Sequence, residues 1–144
     1  MQNGYTVDIL TPNKVVVAQM PASSLIIPTV RGQINVLENH THIVTKLETG
    51  MLSVFGGADD PDRHFAISSG VCKVLDGKVQ ILAHVAEESH EIDKERAERA
   101  LQNAQDVLAN RDDLNDEEIS KYRNKVERAK LRIQLSEYTG NPNL

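Results

Sequence analysis

A change of hydrophobic period divides this chain. Up to about Val85 the apolar residues come in short, Gly-punctuated runs of strand length. Beyond it they recur at threes and fours through a stretch rich in Ala, Glu and Arg. A strand alternates with period two and a helix with period 3.6, so the two halves call for different elements. The expected fold class is α+β, with a β module over residues 1–86 and a helical tail over residues 87–144. At 144 residues there is room for one ordinary domain, or for a small domain with an appendage.

In the first half, Tyr5 to Leu10 alternates and ends at Thr11-Pro12-Asn13, a turn in which Pro fixes φ. Val15-Val16-Val17 reads as the next strand. Leu25-Ile26-Ile27 ends at Pro28; Gly32 to Leu37, Ile43 to Leu47 and Gly50 to Phe55 follow. Strands this short, separated by turns at this density, predict a sandwich or barrel. Val71 to Leu75 and Lys78 to Ala83 flank Asp76-Gly77, a pair that tolerates the positive φ angles of a two-residue hairpin turn. Gly56 to Arg63, with Asp59-Asp60-Pro61-Asp62, reads as an exposed acidic connection.

The second half predicts two helices. Ala97, Ala100, Leu101, Ala104 and Leu108 fall on one face of the first. Asn110 to Asn115 interrupts it. Asn115 then stands as N-cap with Glu118 at N3, and Leu114 and Ile119 hold the positions of a hydrophobic staple. Ile119, Tyr122, Val126, Ala129 and Ile133 form the second stripe, widened by Leu131, Leu135 and Tyr138. Two facing stripes and a short link predict an antiparallel two-helix hairpin. Its first stripe is mostly Ala, so its seam is thin.

Composition narrows the functions. The formal net charge is −5, and aromatics are few, with no Trp, which argues against general nucleic-acid binding. Cys72 is the single cysteine, so no disulfide forms within the chain and a reducing cytosol is the expected compartment. The N-terminus lacks a signal-like apolar run, and no stretch reaches membrane-spanning length, so any membrane association is expected through a partner.

Little here assembles an active site. Glu38, His40 and His42 could offer metal ligands, but without a further ligand at telling spacing they read as a polar loop entering a strand. His64, His84 and His90 are scattered, Ser68-Ser69-Gly70 lacks a nucleophile elbow, and no phosphate-binding Gly loop occurs. Neither catalysis nor a metal is expected. The second helix is different: over residues 121–132, Lys121, Arg123, Lys125, Arg128, Lys130 and Arg132 are opposed by Glu127 alone. This is either a solvated face with weak ion pairs or an electrostatic docking face. Arg128 and Arg132, four apart, could meet one polyphosphate.

The ordered set of segments resembles a family. Gly32-Gln33-Ile34-Asn35-Val36-Leu37-Glu38-Asn39-His40 is similar to the Gly-Glu-Leu-Gly-Ile-Leu-Pro-x-His segment of the epsilon subunit of bacterial F-type ATP synthases. Gly50-Met51-Leu52 resembles its Gly-(Val/Met)-(Leu/Ile) strand start, and Phe65-Ala66-Ile67-Ser68-Ser69-Gly70 its (Phe/Tyr)-Ala-Val-Ser-Gly-Gly stretch. Lys78 to Ala83 is similar to its Lys-Val-Thr-Val-Leu-Ala strand. Ile92-Asp93-Lys94-Glu95-Arg96-Ala97 resembles the (Ile/Leu)-Asp-x-x-Arg-Ala opening of its first helix. Gln33, Asn35, Glu38 and His84 depart from the usual Glu, Gly, Pro and Asp.

The resemblance implies a ten-stranded β-sandwich followed by a helical hairpin, in a non-catalytic rotor subunit at the foot of the central stalk. The implied partners are the gamma subunit, the c-ring and the alpha and beta catalytic hexamer. The implied location is the cytoplasmic face of the plasma (inner) membrane, peripheral and only through the complex. By position, Arg31, Gln33 and His40 fall on the c-ring side, and Lys121, Arg123 and Lys125 are the candidates for docking on catalytic subunits. No cofactor is required. Some members bind ATP as a regulatory ligand, and the matching positions here are Glu87, Asp93, Arg96, Arg128 and Arg132, with Asn103 where such members carry a further Arg. The rival reading is a free-standing cytosolic adaptor, with a peptide-binding sandwich and a tail that binds an acidic protein.

Overall fold

The computed structural model describes residues 4–36, 42–56 and 62–139, with Tyr138 and Thr139 described by their backbone alone. Glu38, His40 and Asp59-Asp60-Pro61 lie outside the described residues, as does the side chain of Tyr138. The chain divides into two compact units, residues 1–88 and 89–144.

The first unit is a sandwich of ten strands: β1 Tyr5–Leu10, β2 Val15–Ala22, β3 Ser24–Thr29, β4 Gly32–Val36, β5 Ile43–Leu47, β6 Gly50–Phe55, β7 Arg63–Ile67, β8 Gly70–Leu75, β9 Lys78–Ala83 and β10 Ala86–Glu88. They form two five-stranded sheets, ordered β2-β1-β9-β8-β5 and β10-β7-β6-β3-β4. Every pairing is antiparallel except β1 with β9, where Val7 stands beside Val79 and Ile9 beside Ile81. Alternation decides which side chains turn inward: along β1, Tyr5, Val7 and Ile9 are buried and the residues between them are half-buried. Val7, Ile9, Leu25, Ile27, Leu47, Leu52, Val54, Phe65, Ile67, Val79 and Ile81 are all within 1% of full burial. Phe65 is the one aromatic ring among them, so aliphatic side chains fill the core. Cys72 belongs to it too, and burial pushes its thiol pKa up to about 12.

Local chemistry fixes the turns. Asp76 and Gly77 have φ of 48° and 78°, the left-handed pair that a type I′ hairpin between β8 and β9 requires. Pro28 lies inside β3 rather than ending it, and stands opposite Gln33 of β4. β6 pairs only with Ser24–Ile26, so the missing Pro28 N–H costs no bond on that side. Gly50 is required beneath it, since a Cβ there would lie 2.7 Å from Pro28 Cβ. The second strand is longer than Val15–Val17 because it bulges: Gln19 takes φ 52°, and its N–H donates to Asp8 Oδ1 at 2.6 Å.

The sandwich outlasts the period change by a few residues. In β10, Ala86, Glu87 and Glu88 pair with Ile67, Ala66 and Phe65. Glu88 is buried, and its carboxylate accepts from Arg63 Nε at 2.7 Å and Nη2 at 2.5 Å. Arg63 therefore opens β7 as a fixed structural cation, with its guanidinium 5.5 Å from the centre of the Phe65 ring and Nη1 3.2 Å from Met20 Sδ. Tyr5 Oη donates to the Val36 carbonyl and so ties the two sheets together.

In the second unit, a 3-10 turn at Ser89–Glu91 precedes α1 (Lys94–Asn110) and α2 (Asp116–Thr139). Asp93 caps α1, accepting the Arg96 N–H at 3.1 Å. Asn115 and Glu118 form a reciprocal capping box on α2, at 2.8 and 3.3 Å. Arg111, just past α1, holds Asp113 with two bonds of 3.1 and 2.9 Å across the link. Lys94 at the start of α1 meets Glu137 near the end of α2 at 3.1 Å, so the helices run antiparallel. Ala97 and Ala104 are buried on α1, and Val126, Ala129 and Leu135 on α2. Ala100, expected in the first stripe, is exposed, because the stripe through Ala97, Leu101 and Ala104 leaves it at the margin.

His64 gives the sandwich a pH dependence. The ring is buried, with Nδ1 2.8 Å from Ser53 Oγ, and desolvation lowers its pKa against the opposing pull of Asp62 and Glu88. The unfolded ring takes its proton near the ordinary value of about 6.5, before the folded one does. Its contribution to stability is therefore present above that pH and is lost as pH falls through it toward the folded pKa. Urea midpoints should drop between pH 7 and pH 5 in the natural chain and drop less in His64→Asn; parallel curves would show that the ring does not titrate on unfolding.

Candidate functional site

In the second unit a groove of about 470 Å³ lies between the helices. α1 supplies Ala100, Asn103, Ala104 and Val107, and α2 supplies Tyr122, Lys125, Arg128, Ala129 and Arg132. The sequence explains both walls. Alanine on α1 has no bulk to fill the space between the helices, which leaves a shallow apolar floor. On α2, steps of three and four place Tyr122, Lys125, Arg128, Ala129 and Arg132 on one face.

Its electrostatics are one-sided. Lys125, Arg128 and Arg132 line the groove, and among the described residues that line it there is no carboxylate. Lys125 Nζ lies 4.9 Å from the centre of the Tyr122 ring, a cation–π contact that holds the ammonium over the aromatic face. Arg132 is half-buried and Arg128 exposed. A cationic slot with an apolar floor, a ring and an amide suits an anion that also carries a flat or apolar part.

Of the positions matched to nucleotide binding, Arg128 and Arg132 meet in this groove together with Asn103. Asp93 and Arg96 do not line it: the Asp93 carboxylate is committed to the α1 N-terminus, and Arg96 is exposed in the first turn. Glu87 lies on β10 of the sandwich unit, opposite Ala66. Lys125 and Tyr122 belong to the groove although sequence reasoning set one among docking charges and the other in an apolar stripe. The Tyr122-x-x-Lys125-x-x-Arg128-x-x-x-Arg132 spacing was the visible signal.

The remaining candidates are dispersed. Lys121 and Lys125 share a side of α2, whereas Arg123 lies about 200° around the helix from Lys121 at roughly 100° per residue. Arg31 and Gln33 are exposed at the β3–β4 hairpin, where Thr29 Oγ1 accepts the Arg31 N–H at 3.2 Å and donates to the Gly32 carbonyl at 2.8 Å. His40 is outside the described residues. His42 Nε2 is 3.4 Å from Asp76 Oδ1, both side chains well exposed.

Solved structures share this fold. A chain of the Euglena gracilis mitochondrial ATP synthase (OSCP/F1/c-ring, rotational state 1) superposes with a TM-score of 0.73 at 23% identity, covering 96% of this chain and 82% of that one. A chain of the Tetrahymena thermophila mitochondrial ATP synthase central stalk and c-ring gives 0.63 at 16% identity, covering 94% and 97%. At such identities the likeness is one of fold. Sequence carries it further: residues 4–89 match the family described as ATP synthase, Delta/Epsilon chain, beta-sandwich domain. The ATP synthase epsilon chain of Staphylococcus aureus (strain JH9) is 34% identical over 135 residues, 94% of this chain and 98% of that protein. The chain belongs to the ATP synthase delta/epsilon family, and within it to the epsilon chains.

The roles of the Asp93 carboxylate in capping and in any ligand contact are separable. Asp93→Ala should cost about 1 kcal/mol of hairpin stability, while Asp93→Asn, which keeps an accepting oxygen, should cost a few tenths. Thermal unfolding followed by circular dichroism checks this; equal losses would show that charge rather than the cap holds the helix start.

Proposed function

We propose that this chain is a non-catalytic central-stalk subunit of an F-type ATP synthase, turning with the rotor that couples proton translocation to ATP synthesis. The observation that carries the reading is epsilon-chain similarity that runs through both units, the sandwich and the hairpin. The sandwich, with its own core, is the part that binds the gamma subunit and the c-ring; the exposed β3–β4 hairpin with Arg31 and Gln33 is its c-ring side. In this reading the chain meets the membrane only through its complex, on the cytoplasmic face of the plasma membrane. Among the described residues no helix is long and apolar enough to cross a bilayer.

The hairpin is the regulatory part. Extended along the stalk, α2 would bring Lys121, Arg123 and Lys125 against acidic surfaces of the alpha and beta subunits and oppose ATP hydrolysis. Adding the chain to its complex should lower hydrolysis, and K121A/R123A/K125A should return it toward the level without the chain. Unchanged inhibition by the triple variant, with normal assembly, would leave those charges as a solvated face.

ATP is the ligand we assign to the hairpin groove. Arg128 and Arg132 would take the phosphates, while the Ala floor and Tyr122 suit a flat base; Asp93, Arg96 and Glu87, the other positions that the family resemblance points to, are not among the residues lining the groove. Asn103 contributes an amide where a guanidinium would add charge, which lowers the expected affinity. A ligand that binds only the folded hairpin shifts the population toward it. Calorimetry on the isolated chain should show ATP binding that Arg128→Ala weakens by about 1.5–3 kcal/mol. No heat at millimolar ATP, or equal affinity in the variant, removes this site.

A further inference from the structure

The groove between α1 and α2 has two chemically different ends. The contact of Lys94 with Glu137 sets the register of the antiparallel helices. Asn103 is nine residues past Lys94 and Arg128 nine before Glu137, so the two stand at about the same level. Tyr122 is six residues nearer the start of α2, about 9 Å along the axis at 1.5 Å per residue. Val107 and Ala104 of α1 meet that end with methyl groups. One end thus carries Arg128, Arg132 and Asn103. The other carries Tyr122, the methyl wall and the Lys125 ammonium, 4.9 Å from the ring centre.

This division decides which part of a nucleotide the groove can read. To tell adenine from guanine, a site must offer donors and acceptors to the base edge, as an Asn amide does to adenine N6 and N7. Asn103 is the one amide among the described residues lining the groove, and its level places it with the guanidinium groups, beside phosphate rather than base. The Asp93 carboxylate, which could accept from an adenine amino group, holds the Arg96 N–H and does not line the groove. At the ring end the polar groups are the Tyr122 hydroxyl and the Lys125 ammonium. The ammonium is a point charge on a flexible four-carbon stem, able to leave the ring for a phosphate and bare the ring face. A ring and methyl groups stack any base, because every base has a π-face. Strong discrimination arises where the wrong ligand leaves a site's buried polar groups unpaired, and this end holds no set of groups that guanine would leave unpaired.

We propose that the hairpin groove takes purine nucleoside triphosphates as a class, held by the triphosphate and by one flat face of the base, without distinguishing guanine from adenine. The inference rests on the ATP assignment above and deepens it by naming what the site recognises. Arg128 and Arg132 supply the affinity for the phosphates. Tyr122 is the specificity-determining residue, since its ring separates a nucleotide from a bare polyphosphate. A hairpin governed in this way responds to the combined purine triphosphate pool rather than to ATP alone.

Calorimetry on the full chain should compare ATP, GTP and inorganic tripolyphosphate at one ionic strength. ATP and GTP should bind within about threefold of each other, and tripolyphosphate at least about threefold more weakly than either. Tyr122→Ala, with unchanged circular dichroism, should lower ATP and GTP affinity by the same factor and leave tripolyphosphate unmoved, whereas Arg128→Ala should weaken all three. ATP and GTP more than threefold apart, or a Tyr122→Ala loss confined to ATP, overturns the proposal and leaves the ATP reading standing. Tripolyphosphate within threefold of ATP also overturns it, because the groove is then a plain polyanion site. No heat with any of the three ligands removes the ATP reading itself, and the proposal with it.

Discussion

The structure depends on two aliphatic sheet faces burying each other. No single large ring anchors the sandwich; Phe65 is the one aromatic among the fully buried side chains, and the rest of the core is Val, Ile and Leu from both sheets. Each such side chain contributes roughly 1.5–3 kcal/mol when fully buried, so stability is spread over many similar contacts. β-branched side chains have few rotamers, and interdigitating them fixes register on every strand at once. The hairpin is built on the opposite terms. Ala97 and Ala104 bring one methyl each to the seam, where a CH₂ group is worth about 0.8 kcal/mol, and caps and links must do more of the holding.

That contrast explains how much of the molecule was legible in the sequence. Features encoded within a few residues came through: the Asp76-Gly77 turn, the Asn115/Glu118 capping box and the period change itself. The ten-strand count came from the family resemblance, since short apolar runs do not by themselves distinguish a sandwich from a barrel. What escaped depended on partners distant in sequence. The Gln19 bulge needs Asp8, Pro28 sits inside a strand because the β6 ladder stops short of it, and Arg63 is structural because Glu88 waits on the far side of β7.

The same rule holds for the groove. Arg128 and Arg132 were visible as a pair four apart on a helix. That Tyr122 and Lys125 join them, and that Asp93 is occupied as a cap, depends on how α1 and α2 face each other. Position-by-position similarity to relatives finds which residues correspond, whereas side-chain geometry finds which of them share a space.

β10 is three residues long and lies at the edge of its sheet, held by β7 and by the Arg63–Glu88 pair. It is also the stretch of chain through which the helical unit is attached to the sandwich. A pull along the chain from Ser89 reaches β10 first, and what resists it there is three residue pairs with β7 together with the buried Arg63–Glu88 contact.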